Sequence, residues 1–336
     1  MRVLVARLDN LGDVLLAGPA VRAVADVAER VTLLCGPRGR AAADLLPGVD
    51  DVIEWRAPWI DPEPVPADGA LLAAMLDVLA RRLRAGRFDR ALIFTSFHQS
   101  PLPLALQLRL AGVPWIGGIS EDYPGSLLDL RHRPDTDVPE TERMLALAAD
   151  AGFPAPADTR LRIRGPLPEV WPFTGGPGYV VVHPGTSVPA RAWPPERCAE
   201  AVRLLDAAGH RVVVTGHRDE KDLTARVAGD RGLDLGGRTS LEELAGILAE
   251  AGAVVAGNTG PAHLAAAVGT PVVSLFAPTV PAARWAPYGV RHILLGDQDA
   301  PCKDTRARVC PIPGHPCLSS VTAERVVDAV QEVIKE

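Results

Sequence analysis

Four short segments of this 336-residue chain join the end of an apolar run to residues able to move a proton or hold an anion. In ARLDNLGDVLLAGP the run closes at Arg7, a turn carries Asn10 and Gly12, and a helix is expected to open at Asp13. A carboxylate in a first helical turn is favoured by the exposed N–H groups and the helix dipole. Asp13 therefore reads as an ionised base able to take a proton from a hydroxyl, although Asp is also routine in that position. In YVVVHPGTSVPARAW a strand delivers His183, Thr186 and Ser187 offer donors, and Arg191 presents a fork matching phosphate oxygens. An ordinary βα loop with a solvated arginine fits the same residues. In RVVVTGHRDEKDL, Glu220 follows Gly216 at a distance suited to gripping ribose hydroxyls, without the full glycine pattern of dinucleotide sites.

The fourth segment says most. Ser240 and Glu243 form an S-x-x-E capping box that follows Thr239. A strand over Ala253–Ala256 then runs into Gly257, Asn258, Thr259, Gly260 and Pro261, with His263 one turn on. Gly permits close backbone approach, Asn and Thr can cap, and Pro fits the first helical position. Free N–H groups at the C-terminal edge of a parallel sheet suit a diphosphate; a well-capped core helix is the plainer alternative. A late loop gathers Cys302, Cys310, Cys317 and His315. Their spacing is not a pair of C-x-x-C knuckles, so small buried thiols are expected ahead of zinc, and no metal or cofactor is assigned.

These segments need a scaffold that brings strand ends together. Apolar runs at Val3–Arg7, Val31–Cys35, Ala91–Thr95, Tyr179–His183, Arg211–Thr215, Ala253–Ala256 and Pro271–Phe276 read as strands. Between them Asp13–Ala28, Gly69–Ala85, Pro195–Ala208, Ser240–Ala251 and Pro261–Val268 read as helices. Near-continuous apolar strands separated by helices indicate parallel sheets covered on both faces. The alternation lapses between Asp150 and Gly178, where Gly and Pro are dense. The reading is an α/β chain of two halves, 1–165 and 166–320, with an amphipathic helix in 321–336 free to pack back on the N-terminal half.

Composition narrows the function. Acids outnumber bases 41 to 35, for a formal charge of −6, which argues against nucleic acid as a partner. Hydrophobic residues make up 47%, enough for substantial cores. MRVLVARL reads as a strand and not as a secretory signal, and the most apolar stretch, Ala251–Pro278, is broken by Asn, Pro, His and Gly. Cytoplasmic location with reduced cysteines is the expectation.

Taken together, the motifs resemble the lipopolysaccharide heptosyltransferases of glycosyltransferase family nine. Leu11-Gly12-Asp13 matches the opening LGD. His183, Gly185, Arg191, Trp193 and Pro194 match H-x-G…K/R-x-W-P, and Asn258, Thr259, Gly260, His263, Ala265 and Ala266 match N/D-[ST]-G-x-x-H-x-A-A. Position 258 is Asn where many relatives carry Asp, and Arg191 stands where Lys is frequent. The resemblance implies a GT-B fold, two Rossmann-like domains with parallel sheets facing across a cleft, with acceptor on the N-terminal side and ADP-heptose on the C-terminal side. It implies inverting, metal-independent transfer of heptose to a glycan or lipopolysaccharide-core hydroxyl, with Asp13 as general base. Thr186, Ser187 and Arg191 would hold the donor phosphates with Thr259, Gly260 and His263 beside them, Asn258 would belong to the donor side, Glu220 would bind the ribose, and Thr239 would lie near the nucleoside. Thr95–Ser100 and Gly117–Tyr123 are candidates for the acceptor side, and peripheral contact with the inner membrane face is allowed. The competing readings are a GT-B nucleotide-sugar epimerase or hydrolase, and a non-catalytic sugar-nucleotide-binding protein.

Overall fold

The computed structural model describes residues 1–60, 68–134 and 137–335; Glu336, the end of the expected last helix, lies outside them. The chain divides into two compact units, Met1–Thr159 and Arg160–Glu336, a boundary slightly earlier than the expected 165/166. In the first unit, strands β1 (Arg2–Arg7), β2 (Arg30–Cys35), β3 (Asp51–Glu54), β4 (Arg90–Ile93), β5 (Trp115–Ile119) and β6 (Leu130–His132) form one sheet. Its order is β3-β2-β1-β4-β5-β6, parallel throughout. The second unit repeats the plan with β7 (Val180–His183), β8 (Val212–Val214), β9 (Leu233–Asp234), β10 (Ala253–Gly257), β11 (Val272–Leu275) and β12 (His292–Leu295). Its order is β12-β11-β10-β7-β8-β9, again parallel. Each order reverses once, between β1 and β4 and between β7 and β10. Ligands of open α/β sheets bind outside the strand C-termini at such reversals.

The central strands are buried on both faces: β1 is buried beyond Arg2, and β7 and β10 are buried throughout, as two helical layers require. In the first unit Leu4, Ala6, Leu34 and Ile93 pack with Leu104 and Leu108 of the helix Leu102–Leu110. In the second, Val180, Val182 and Val255 share a core with Cys198, Val202 and Leu205 of the helix Pro195–Ala207.

Two expectations change. The single helix expected over Asp13–Ala28 is two, Leu11–Leu16 and Gly18–Ala25. Pro19 has no N–H to continue the ladder, so the chain restarts around Ala17. The last helix, Ala323–Ile334, packs within the second unit, on β10, β11, β12 and the helix Pro195–Ala207. Its stripe of Val326, Val330 and Val333 joins that unit's core, so the helix has its apolar partner there. Among the described residues no helix is long and apolar enough to cross a membrane.

Candidate functional site

At the reversal of the first sheet, the last residue of β1 is a fully buried arginine. Arg7 is ringed by acids: its Nε lies 3.1 Å from Asp9 Oδ2, and its Nη2 donates to Asp13 Oδ1 at 2.9 Å and lies 3.6 Å from Glu140 Oε2. The same Nη2 donates to Ser96 Oγ at 2.9 Å, just beyond β4. Arg143 Nη1 donates to the other Glu140 oxygen at 2.5 Å. Gln99 donates to Asp9 and accepts from the Ser96 amide at 3.1 Å. Burial opposes the Arg7 charge, but Asp9, Asp13 and Glu140 more than offset it and hold the guanidinium above its usual range. Burial also pushes the Asp9 carboxyl up to about 6, against the pull of Arg7.

Asp13 sits in the first turn of Leu11–Leu16, as expected, with its side chain 15% exposed while Arg7 and Glu140 are at 0%. The carboxylate reaching the surface is therefore tied from beneath. Of this cluster the sequence points to Asp13 as a base and to Ser96 and Gln99 within the acceptor-side candidate Thr95–Ser100. An arginine closing an otherwise apolar strand was the available signal for Arg7; Glu140 and Arg143 come from a distant helix, Glu140–Asp150, that nothing near Asp13 announces.

At the reversal of the second sheet, a small cavity is lined by His183, Pro184, Gly185, Arg191 and Gly257, over Val182 and Val255. His183 is buried, its Nδ1 3.0 Å from Thr215 Oγ1 and its Nε2 4.0 Å from Glu220 Oε2. Burial holds its imidazolium down to about 4, against the pull of Glu220. Glu220 caps the turn His217–Glu220 by accepting from the His217 amide at 2.7 Å. Its carboxylate also lies flat on Gly185: a Cβ there would stand 2.1 Å from Glu220 Oε1. The glycine of H-x-G is thus the space the carboxylate occupies.

Arg191 ends a short turn, Pro189–Arg191, and its Nη1 donates to the Asn258 carbonyl at 3.5 Å. Gly257 lets that turn approach β10, since a Cβ there would stand 3.1 Å from the Arg191 carbonyl. Asn258 is 95% buried, given its 5% relative exposure, and its Nδ2 has no hydrogen-bond partner among the described residues. Thr259 is the N-cap of Gly260–Ala267 without a side-chain cap bond, and the buried His263 lies in the first turn. The neighbouring helix Leu241–Ala249 is the contrast, because Ser240 and Glu243 close its end at 3.1 and 2.7 Å. One helix start is closed by side-chain caps, and the other, beside Arg191, has none.

Thr186 is folded into its own turn, donating to the Val188 carbonyl at 3.3 Å and accepting from the Val188 amide at 3.2 Å; Ser187 is exposed. Thr239, half-buried, follows β9 on the far side of β8. The second unit thus gathers Thr186, Ser187, Arg191, Glu220, Asn258, Thr259, Gly260 and His263 around the ends of β7, β8 and β10, with Thr239 one strand outward. Asp13 belongs to the first unit.

The late cysteine loop braces this site. His315 Nε2 meets the Ala190 carbonyl at 3.0 Å, and the Ala190 amide donates to the Arg308 carbonyl at 3.0 Å. Trp193 Nε1 donates to Val321 O at 3.2 Å. The turn presenting Arg191 is therefore held from behind. Cys302 and Cys317 are buried, and burial pushes the Cys317 thiol up to about 12. Among the described residues, no group of three or more His, Cys, Asp or Glu is arranged to hold a metal.

Residues 77–315 match the family model described as Glycosyltransferase family 9 (heptosyltransferase). Lipopolysaccharide heptosyltransferase 3 of Escherichia coli is 29% identical over 168 residues, 47% of this chain; the chain spans about half of that relative, 48%. Lipopolysaccharide heptosyltransferase 1 of Pseudomonas aeruginosa is 28% identical over 341 residues, covering 92% of this chain and 87% of the relative. Among solved structures, E. coli ADP-heptose lps heptosyltransferase II superposes with a TM-score of 0.76 at 20% identity, covering 99% and 98% of the two chains. E. coli heptosyltransferase WaaC with ADP-2-deoxy-2-fluoro heptose gives 0.72 at 22%, covering 99% of each. The fold is GT-B. With the family model matching residues 77–315, about seven-tenths of the chain, the chain belongs to glycosyltransferase family 9.

Proposed function

We propose that this enzyme transfers heptose from ADP-heptose to a hydroxyl of a lipopolysaccharide-core glycan, by a single inverting displacement without a metal. The observation that carries the reading is the second sheet's reversal, where an uncapped helix start, a half-buried arginine and an orphan Asn258 amide converge. Such a group of donors suits the two phosphates of a nucleoside diphosphate. A related solved structure holds an ADP-heptose analogue, which supports adenine and heptose as the donor's ends.

In the proposed reaction Asp13 takes the proton of the acceptor hydroxyl as its oxygen bonds to the anomeric carbon. The bond from that carbon to the diphosphate oxygen breaks on the opposite face, and ADP leaves with the electron pair. Arg191, the amides of Thr259 and Gly260 and the Asn258 side chain meet the charge that develops on the leaving group. They supply the positive field that a divalent cation gives in other transferases. Glu220, already laid along Gly185, would accept from the ribose hydroxyls, with Thr239 toward the base.

The test is ADP release and product mass with purified protein, ADP-heptose and a panel of core and free glycans, with and without EDTA. Acceptor-dependent transfer that survives EDTA and is lost in Asp13→Ala supports the proposal. ADP-heptose consumed without acceptor would point to a hydrolase or epimerase instead. Binding without turnover across the panel would leave a sugar-nucleotide-binding protein.

A further inference from the structure

The first unit holds more charge than a base requires. Arg7, Glu140 and Arg143 are all at most 1% exposed, on β1 and on the helix Glu140–Asp150. Buried ion clusters are commonly less stabilising than apolar packing of the same volume, and the core that β1 and β4 share with the helix Leu102–Leu110 is apolar. The charges also alternate in space: Asp13 meets Arg7 at 2.9 Å, Arg7 meets Glu140 at 3.6 Å, and Glu140 meets Arg143 at 2.5 Å. Thr141, beside Glu140, donates to the Leu16 carbonyl at 3.1 Å, pinning this helix to the one that carries Asp13. Asp9, held by Gln99, lies 3.1 Å from Arg7 Nε, and Ser96 accepts from the same Nη2 that meets Asp13. A planar guanidinium fixed on several sides has little freedom to rotate.

We propose that Arg7, Glu140 and Arg143 are positioning residues, an alternating charge chain that fixes the Asp13 carboxylate and sets its proton affinity. The inference rests on Asp13 being the base. It predicts signs that packing alone does not. Removing the Glu140 charge leaves Arg7 more fully to Asp13 and lowers the pH at which Asp13 titrates. Removing the Arg143 charge strengthens the hold of Glu140 on Arg7 and raises it.

The experiment is carboxyl-carbon NMR titration of the full-length protein labelled at aspartate, with the Asp13 resonance assigned by its loss in Asp13→Asn. Glu140→Gln is expected to move the Asp13 midpoint down and Arg143→Met to move it up, each by roughly one pH unit. Glu140→Asp and Arg143→Lys keep the charges and should stay near wild type. ADP affinity should hold within about twofold in all four, because the nucleotide groups lie in the other unit. Shifts of the same sign, or below about a third of a unit in variants that keep ADP binding, overturn the proposal. Should Arg143→Met not fold, the sign in Glu140→Gln against Glu140→Asp decides. Heptose transfer surviving in Asp13→Asn would instead remove Asp13 as the base, an outcome distinct from the direction of the titration shifts.

Discussion

The two sheets share one strand order and gather polar groups where it reverses, yet the two places are made of different materials. At the end of β1 the polarity is side-chain charge: Arg7 and Glu140 at 0% exposure, with three acids about one guanidinium. At the ends of β7 and β10 it is mostly backbone, a helix start without a side-chain cap, two glycines that admit close approach and a histidine kept neutral by burial. The difference fits the two tasks proposed for them. A proton acceptor must be held at one angle and one charge, which buried side chains do well. A diphosphate spreads charge over many oxygens and is best met by many small donors at close range.

The largest effect should separate the two places outright. Asp13→Asn is expected to lower kcat by about 10²- to 10⁴-fold, the range for general acid–base groups, with ADP affinity unchanged. Arg191→Ala should do the reverse, weakening ADP by about ten- to a hundredfold through loss of charged hydrogen bonds. Calorimetric ADP binding beside transfer kinetics reads both. A loss of nucleotide affinity in Asp13→Asn would erase the division of labour.

Next comes stability. Removing Arg7 leaves acids buried without their counter-charge, so Arg7→Met should cost about 3–5 kcal/mol. Arg191→Met, at a half-buried position, should cost about 1 kcal/mol or less. Urea midpoints would rank the two, and equal losses would mean the charge at β1 is no more critical to folding than that at the Arg191 turn.

The pH dependence of stability should also differ in sign. Asp9 has its folded pKa raised from 3.8 to about 6. Its contribution is therefore present below pH 4 and lost as pH rises through 6, by about 3 kcal/mol. His183 is lowered from 6.5 to about 4, so its contribution is present above 6.5 and lost as pH falls toward 4, by a similar amount. The two oppose each other over one window and flatten the wild-type curve. Asp9→Asn should then tilt it toward stability at neutral pH, and His183→Gln toward stability in acid. Parallel tilts in both variants would break the contrast.

What could be read in advance follows the same line. The inner strands β1, β2, β7, β10 and β11 are largely apolar runs, visible because both faces are buried. Outer strands such as Asp51–Glu54 and Leu233–Asp234 are short and partly polar, and β5 contains Gly117 and Gly118, so their positions come from sheet pairing and not from local pattern. The phosphate-like place is local in sequence, two loops each following its own strand, and motif reading reaches it. The Arg7 cluster joins residues near 7, 96 and 140, and only the fold brings them together. The Ser240 box is where propensity and structure agree most closely.

That box supplies the finest comparison, between two helix starts in one unit. Ser240 accepts from Glu243 N at 3.1 Å, whereas Thr259 forms no such bond to its own helix. Ser240→Ala should therefore cost about 1 kcal/mol of stability, the usual worth of a cap, and leave ADP binding alone. Thr259→Ala gives up no cap, so its stability should fall by only a few tenths of a kcal/mol. If its hydroxyl serves the nucleotide, ADP affinity should drop about fivefold, the equivalent of one hydrogen bond. Thermal melts with and without ADP measure all four quantities in one series. Should Thr259→Ala lose stability and keep its affinity, the helix start at Gly260 is an ordinary capped end, and the diphosphate must be held chiefly by Arg191.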